Sequence, residues 1–165
     1  MRTLLILRHA KSSWDDPNQD DYDRPLNKRG RKEAKSVGKF MRARKLLPEL
    51  VLTSTAERAR ETVELWQRKS HYGGPVEAHR EFYLAGPDRY LEALAALGTR
   101  CSSVMLVGHN PGLEELVLRL TGVAQQLPTA ALVELHLAHA SWDRVGEQAD
   151  VTLANIWRVK EPNGE

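Results

Sequence analysis

The amino-acid sequence predicts a three-layer α/β sandwich built on a mostly parallel, mixed sheet. Three short apolar runs, at residues 3–7, 50–53 and 102–107, are typical of strands that a parallel sheet buries on both faces. Two strand-like segments near the end of the chain, 131–137 and 151–159, indicate an antiparallel pair at one sheet edge. Helix-like segments lie between the strands, and this alternation followed by a terminal pair is typical of an α/β domain.

The first two helices are predicted from the periodicity of their apolar residues. The first begins after Asn27, a suitable cap, and runs to about residue 46 with apolar side chains at i, i+3, i+4 and i+7. The second repeats that spacing up to Trp66, with Ser54 and Thr55 as candidate caps. Both are therefore expected to pack one face on the sheet.

The next two helices are predicted from their end signals as well as their apolar stripes. The third begins at Pro87 and stops at Gly98. In the fourth, Asn110 is the candidate cap, Pro111 suits the first helical position and Gly122 ends the helix.

Length and composition predict a single domain that spans residues 1–165. The chain is 41% hydrophobic and 28% charged, which suits one soluble domain with a sizeable core. Its 24 basic and 22 acidic residues give a net charge of only +2 and are spread along the chain. This charge pattern predicts no nucleic-acid partner, so a preference for anions must come from local geometry.

Cysteine content and the start of the chain bear on where the protein acts. Cys101 is the single cysteine, which excludes an internal disulfide and fits a reducing cytoplasm. The apolar opening MRTLLIL ends at Arg8, far short of the ~20 residues that span a bilayer. We therefore predict a cytoplasmic protein with no membrane partner.

Two polar segments are predicted to lie outside the core. The acidic stretch at residues 15–23 is expected to be a solvated loop, and residues 161–165 a frayed tail. Trp14, just before the acidic stretch, is expected either to line the rim of a pocket or to pack against the body of the domain.

The candidate functional residues follow directly after three predicted strands. Ligands of open α/β sheets bind beyond the carboxyl ends of the strands. There the sequence places Arg8 and His9 after the first strand, Arg58 after the second, and His109 with Asn110 after the strand at 102–107. We expect all five side chains to meet at one edge of the sheet.

Two arginines and two histidines suit the transfer of a phosphoryl group. Arginine presents a charged, planar fork of donors to phosphate oxygens. A neutral imidazole attacks phosphorus without a separate base when a hydrogen bond to its other nitrogen fixes the tautomer. Asn110 is predicted to bind substrate beside the positive end of the fourth helix. Because positioning and charge supply most of such catalysis, we predict neither a metal ion nor another cofactor.

Four segments between about residues 2 and 137 form a recognisable series, namely LRHAKSSW (7–14), RPLNKRGRKEA (24–34), LTSTAERARET (52–62) and VGHNPGLEEL (107–116). In sequence and in order they resemble the histidine phosphatase superfamily, and its short SixA type of phosphohistidine phosphatase in particular. The resemblance implies a phosphoglycerate mutase-like fold and a phosphohistidine intermediate on His9. It also implies that Arg8, Arg58 and His109 complete the catalytic and substrate-binding pocket.

Two positions differ from the superfamily pattern. Ala10 stands where the signature usually has glycine, which restricts a positive φ there. The glutamate that longer members use as general acid comes from an insertion that this chain lacks, and Glu81 is the candidate to replace it. The first difference is not expected to abolish catalysis.

The function predicted from these residues is hydrolysis of a phosphohistidine protein or a small phosphomonoester through phosphorylated His9. One alternative is a phosphoglycerate-type mutase, although 165 residues leave little room for the lid that it needs. Another is a non-catalytic module that binds phosphorylated partners, although such a module does not need a positioned nucleophile. A dinucleotide-binding domain is disfavoured because RHAKSS, and no GxGxxG turn, follows the first strand.

Overall fold

The computed structural model describes residues 1–147 and 150–159, and the tail predicted at 161–165 lies outside them. The sheet has six strands in the order β3-β2-β4-β1-β5-β6. Strands β1 to β4 are parallel, and β5 and β6 add an antiparallel pair at one edge, as predicted. The strands comprise β1 (Arg2–Arg8), β2 (Leu50–Ser54), β3 (Val76–His79), β4 (Ser103–Gly108), β5 (Leu132–Leu137) and β6 (Val151–Trp157).

Four α-helices cover the two faces of this sheet, so the prediction of a three-layer α/β sandwich is confirmed. They are α1 (Lys28–Ala43), α2 (Glu57–Ser70), α3 (Pro87–Ala95) and α4 (Gly112–Thr121). In β1, Leu4 and Ile6 face one core and Leu5 and Leu7 face the other, because successive strand residues point to opposite faces. The first core is shared with α3 and α4, and the second with α1 and α2.

The helix caps agree with the sequence only in part. The Asn27 side chain accepts a hydrogen bond from the backbone N–H of Gly30 at 2.8 Å, as a cap of α1 should. Asn110 is not a cap, because its side-chain amide donates to the carbonyl of Leu127 and Pro111 occupies the cap position of α4. The helix starts there one residue later than predicted.

The start of α2 and two element ends also differ from the prediction. Neither Ser54 nor Thr55 caps α2, because Ser54 still belongs to β2 and Ala56 occupies the cap position. Helix α1 ends at Ala43 and α3 at Ala95, both earlier than expected, and the short strand β3 was not predicted. Gly98, the predicted stop, does adopt a left-handed φ of 58° beyond α3.

Close backbone packing holds the loops that follow β1 and β3. A methyl group on Gly30 would overlap the carbonyl oxygen of Lys11, so only glycine lets the start of α1 lie against the chain just after His9. A methyl group on Gly112 would likewise overlap the carbonyl oxygen of Ala85. The carboxyl ends of β1, β2 and β4 are thereby fixed side by side, with Arg8 opposite Gly108.

Candidate active site

His9 follows the last residue of β1 and is buried at the carboxyl edge of the sheet. Its backbone N–H donates to the carbonyl of Gly108, and its side chain is 6% exposed. The ring nitrogen Nδ1 lies 2.7 Å from the carbonyl oxygen of Ala10. Because a carbonyl only accepts, Nδ1 carries the proton and Nε2 keeps a free lone pair.

The surroundings of His9 keep its ring neutral. Burial is the main cause, followed by the adjacent His109, and the charges of Arg58 and Arg8 act in the same direction. Together these lower the pKa of His9 well below its usual value, despite the opposing hydrogen bond to Ala10. Nε2 is therefore available as a nucleophile at neutral pH.

Ala10 does not need the freedom of glycine in this structure. It does not adopt a positive φ, and its fully buried backbone N–H donates to the hydroxyl of Thr62 at 3.0 Å. The same hydroxyl donates to the carbonyl of Arg58 at 2.7 Å. Thr62 therefore joins the loop that carries His9 to the helix that carries Arg58.

Arg58 lies in the first turn of α2 and is 5% exposed. Its Nη1 donates to the backbone carbonyl of Asp21 at 2.7 Å, and its Nη2 pairs with the carboxylate Oδ2 of the same residue at 3.1 Å. The buried Nε has no hydrogen-bond partner in the part of the chain that the structure describes. This donor is one point at which an anion can bind.

Arg8 and Asn110 are tied to the same carbonyl on the other side of the pocket. Arg8 donates from Nη1 and Asn110 from Nδ2 to the oxygen of Leu127, at 2.9 and 2.8 Å. Within residues 1–147 and 150–159, the buried Nε of Arg8 and Oδ1 of Asn110 have no hydrogen-bond partner. Burial lowers the pKa of Arg8 but leaves a cation, since guanidinium stays protonated in proteins.

His109 directly follows β4, and its ring centroid lies 5.1 Å from that of His9. Its backbone N–H donates to the hydroxyl of Tyr90, and its Nε2 lies 2.8 Å from the hydroxyl oxygen of Ser54. Burial, and then the positive charge of Arg58, lower the pKa of His109 to about 4. Both rings are thus neutral at pH 7.

Three residues at the site were not predicted as functional residues, although Arg24 belongs to the segment at 24–34 that carries the family resemblance. Asp21, in a single 3₁₀ turn at residues 21–23, pairs with Arg24 as well as with Arg58. Arg24 is buried and donates to the Ser12 hydroxyl at 2.6 Å. The hydroxyl of Tyr83 donates to Asp21 at 2.6 Å, and its ring meets His109 edge-on at 5.8 Å. The acidic stretch is therefore only partly the solvated loop that was predicted.

Glu81 lies apart from these residues. It is on a 3₁₀ turn after β3, with its side chain 54% exposed and 2.9 Å from Nδ1 of His79. It lines a groove of about 280 Å³ with residues of α3, and none of the four predicted pocket residues lines that groove. The hydrogen bond from His79 is the main cause that lowers the pKa of Glu81. Trp14 is 70% exposed, and its ring stacks on the guanidinium of the buried Arg24, whose Cζ lies 3.5 Å from the ring centroid.

The site is thus a buried, positively charged pocket with two neutral histidines. Among the described residues, no three histidine, cysteine or acidic side chains come close enough together to hold a metal ion. No helix within the same residues is long and apolar enough to cross a membrane. The expectations of no metal and no membrane partner remain predictions.

Residues 4–83 match the sequence profile of the histidine phosphatase superfamily (branch 1). An uncharacterized chloroplastic protein of Arabidopsis thaliana is 35% identical over 153 residues, which cover 86% of this chain and 69% of that protein. An uncharacterized protein of Mycobacterium leprae is 33% identical over 92% of this chain and its own full length. A phosphoglycerate mutase of Bifidobacterium longum is 38% identical over only 64 residues, or 26% of the mutase.

Solved structures show the same likeness across nearly the whole chain. The "putative phosphohistidine phosphatase SixA" of Agrobacterium tumefaciens is 32% identical, with a TM-score of 0.83 over 96% of this chain and 98% of that one. The histidine phosphatase SixA in complex with tungstate has the same fold, with a TM-score of 0.79 at 24% identity over 93% of this chain and 95% of its own. The predicted phosphoglycerate mutase-like fold is therefore confirmed.

Proposed function

The chain belongs to the histidine phosphatase superfamily, and we propose that it is a metal-independent phosphatase that works through a phosphohistidine intermediate on His9. The observation that carries this proposal is the hydrogen bond between His9 Nδ1 and the Ala10 carbonyl. It fixes the tautomer that leaves Nε2 free, inside a pocket whose positive charges come from Arg8 and Arg58. The substrates are phosphohistidine proteins or small phosphomonoesters.

In the first step, Nε2 of His9 attacks the phosphorus atom while the bond to the leaving group breaks. Guanidinium groups of Arg8 and Arg58 stabilise the charge on the phosphoryl oxygens, which is the main requirement of phosphoryl transfer. The neutral ring of His109 lies beside that of His9, and the side-chain amide of Asn110 is a further polar group that can contact the substrate. The Ala10 carbonyl stabilises the positive charge that His9 acquires, through the proton on Nδ1.

In the second step, water attacks the phosphohistidine, the P–N bond breaks, and inorganic phosphate leaves. Neutral His9 is regenerated with its Nδ1 proton in place. The leaving group takes up a proton in the first step. Glu81, the donor that the sequence predicts, does not fit this role, because it lies apart from the site and the hydrogen bond from His79 lowers its pKa, which leaves a carboxylate with no proton to give. We therefore assign the proton to a water molecule at the leaving group.

The test is phosphate release from phosphomonoesters and from a phosphohistidine protein, in excess chelator. We expect turnover by the wild type, near-complete loss in His9→Ala, and no loss in the matched control His136→Ala, whose ring pairs with Glu134 on β5. Loss of wild-type turnover in chelator, restored by Mg²⁺ or Zn²⁺, would contradict the metal-independent mechanism.

The same assay separates the two alternative functions. A non-catalytic module would bind phosphate without releasing it from any substrate. A mutase would return the phosphoryl group to a phosphoglycerate acceptor, with little free phosphate. The cytoplasmic location and the absence of a nucleic-acid partner belong to the same proposal.

A further inference from the structure

Asp21 accepts hydrogen bonds from donor groups at the site that a phosphoryl oxygen could otherwise use. Its carboxylate accepts from Arg58 Nη2 at 3.1 Å, from Arg24 Nε at 3.0 Å and from the hydroxyl of Tyr83 at 2.6 Å. Its backbone carbonyl takes the remaining terminal nitrogen of Arg58 at 2.7 Å. Both Nη groups of Arg58 are therefore engaged by Asp21.

A phosphoryl dianion and the Asp21 carboxylate compete for the guanidinium of Arg58. Partial burial alone would raise the pKa of the Asp21 carboxyl. The pKa is instead lowered to about 2, because Tyr83 and Arg24 donate hydrogen bonds to the carboxylate and Arg58 adds a positive charge. The carboxylate consequently stays charged at neutral pH. Like charges at one guanidinium repel each other, so binding of the dianion through the two Nη groups of Arg58 requires Asp21 to move.

Of the two partners, Asp21 is the one with freedom to move. Its side chain is 43% exposed on a three-residue 3₁₀ turn, whereas that of Arg58 is 6% exposed on a 14-residue helix. The carbonyl of Arg58 is in addition held by the hydroxyl of Thr62. When the Asp21 carboxylate moves away from Arg58, it can keep its ion pair with Arg24.

We propose that Asp21 is an internal ligand of Arg58 which the phosphoryl group displaces, so that it raises the KM of the enzyme. The inference rests on the proposed function, since it takes Arg58 as the group that binds the phosphoryl oxygens. In the free enzyme Asp21 compensates a buried cation that would otherwise be costly and holds it in place. As a consequence, an anion that enters the site must compete with the Asp21 carboxylate for Arg58.

The test compares phosphate affinity by titration calorimetry, which needs no turnover. Asp21→Asn should bind inorganic phosphate about threefold to tenfold more tightly than the wild type, as expected for release of a partly exposed charged pair. The control is Asp23→Asn, which removes the same charge from the same exposed turn, where the described residues offer its side chain no ion pair. It should change the affinity by less than about twofold, because an exposed charge without a direct contact is screened.

A second variant removes a contact without changing the charge. Tyr83→Phe deletes the 2.6 Å hydrogen bond to Asp21 and should also tighten phosphate binding, by about twofold to fivefold. An equal gain in Asp21→Asn and Asp23→Asn would show a general field effect and overturn the displacement. So would unchanged or weaker binding in folded Asp21→Asn or in Tyr83→Phe.

Steady-state kinetics give an independent check of the same idea. Asp21→Asn should lower KM without raising kcat, whereas a residue that only supports the fold would lower kcat or raise KM. Failure of the proposed function looks different, because the wild type would then release no phosphate from any substrate, or would show no saturable phosphate binding that Arg58→Ala abolishes. If the wild type binds phosphate in this way but Asp21→Asn does not bind it more tightly, only the proposed role of Asp21 is refuted.

Discussion

Replacement of Thr62 by valine tests whether the loop of His9 and the helix of Arg58 are coupled through one hydroxyl. Valine keeps the shape of threonine but removes both hydrogen bonds, to the Ala10 N–H at 3.0 Å and to the Arg58 carbonyl at 2.7 Å. The buried N–H left without a partner costs about 1–3 kcal/mol, and the second bond adds about 0.5–1 kcal/mol. We therefore expect about 2–3 kcal/mol less free energy of unfolding.

The assay for Thr62→Val is thermal unfolding together with turnover of an aryl phosphate. For a chain of 165 residues, about 2–3 kcal/mol corresponds to a fall in Tm of about 5–10 °C. A shift of the Ala10 carbonyl also disturbs the tautomer of His9, so kcat/KM should fall about tenfold. Thr62→Ser keeps the hydroxyl and should retain most of the activity. A Tm within about 1 °C of the wild type, or equal losses in both variants, would refute the coupling.

Three further perturbations address the roles of single groups. Arg58→Ala should lower kcat/KM by about 10²-fold to 10³-fold if it clamps the transferring group, and a loss under about threefold in a folded variant would contradict that role. Glu81→Gln should affect substrates with poor leaving groups no more than an aryl phosphate, because Glu81 lies apart from the site, and a selective loss with poor leaving groups would restore Glu81 as the proton donor. In an NMR titration the imidazole of His109 should remain mostly neutral at pH 5, because its pKa is about 4, and the imidazole of His9 should titrate well below its usual pKa, because it is buried beside positive charges. Protonation then favours the unfolded chain, so the free energy of unfolding should fall as the pH drops below about 6.5; a midpoint near 6.5 for either ring would contradict this.

The sequence predicted those parts of the fold that local patterns determine. Runs such as residues 3–7 are apolar on both faces because the sheet buries them on both faces, and the stripes of α1 to α4 follow the helical period. Strand β3 was missed because Val76–His79 is short and half-buried at the other edge, with a single β-branched residue. Local propensity carries little signal for such a strand.

The candidate site was predictable only where its residues directly follow strands. His9, Arg58 and His109 meet because the carboxyl ends of β1, β2 and β4 lie side by side. Asp21 was not predictable in the same way, because its contact with Arg58 joins residues 37 apart in sequence. Five acidic residues in nine have the composition of a solvated loop, and only the folded chain shows that one of them turns inward.

The covalent role of His9 is the central claim, and trapping the intermediate tests it most directly. The enzyme is incubated briefly with a labelled phosphodonor and quenched in alkali, since phosphohistidine is acid-labile and comparatively stable to base. Mass spectrometry of the digested protein should place the label on His9, with none trapped in His9→Ala and slower formation and decay in His109→Ala. Label on a serine or aspartate, or full activity of His9→Ala, would contradict the mechanism.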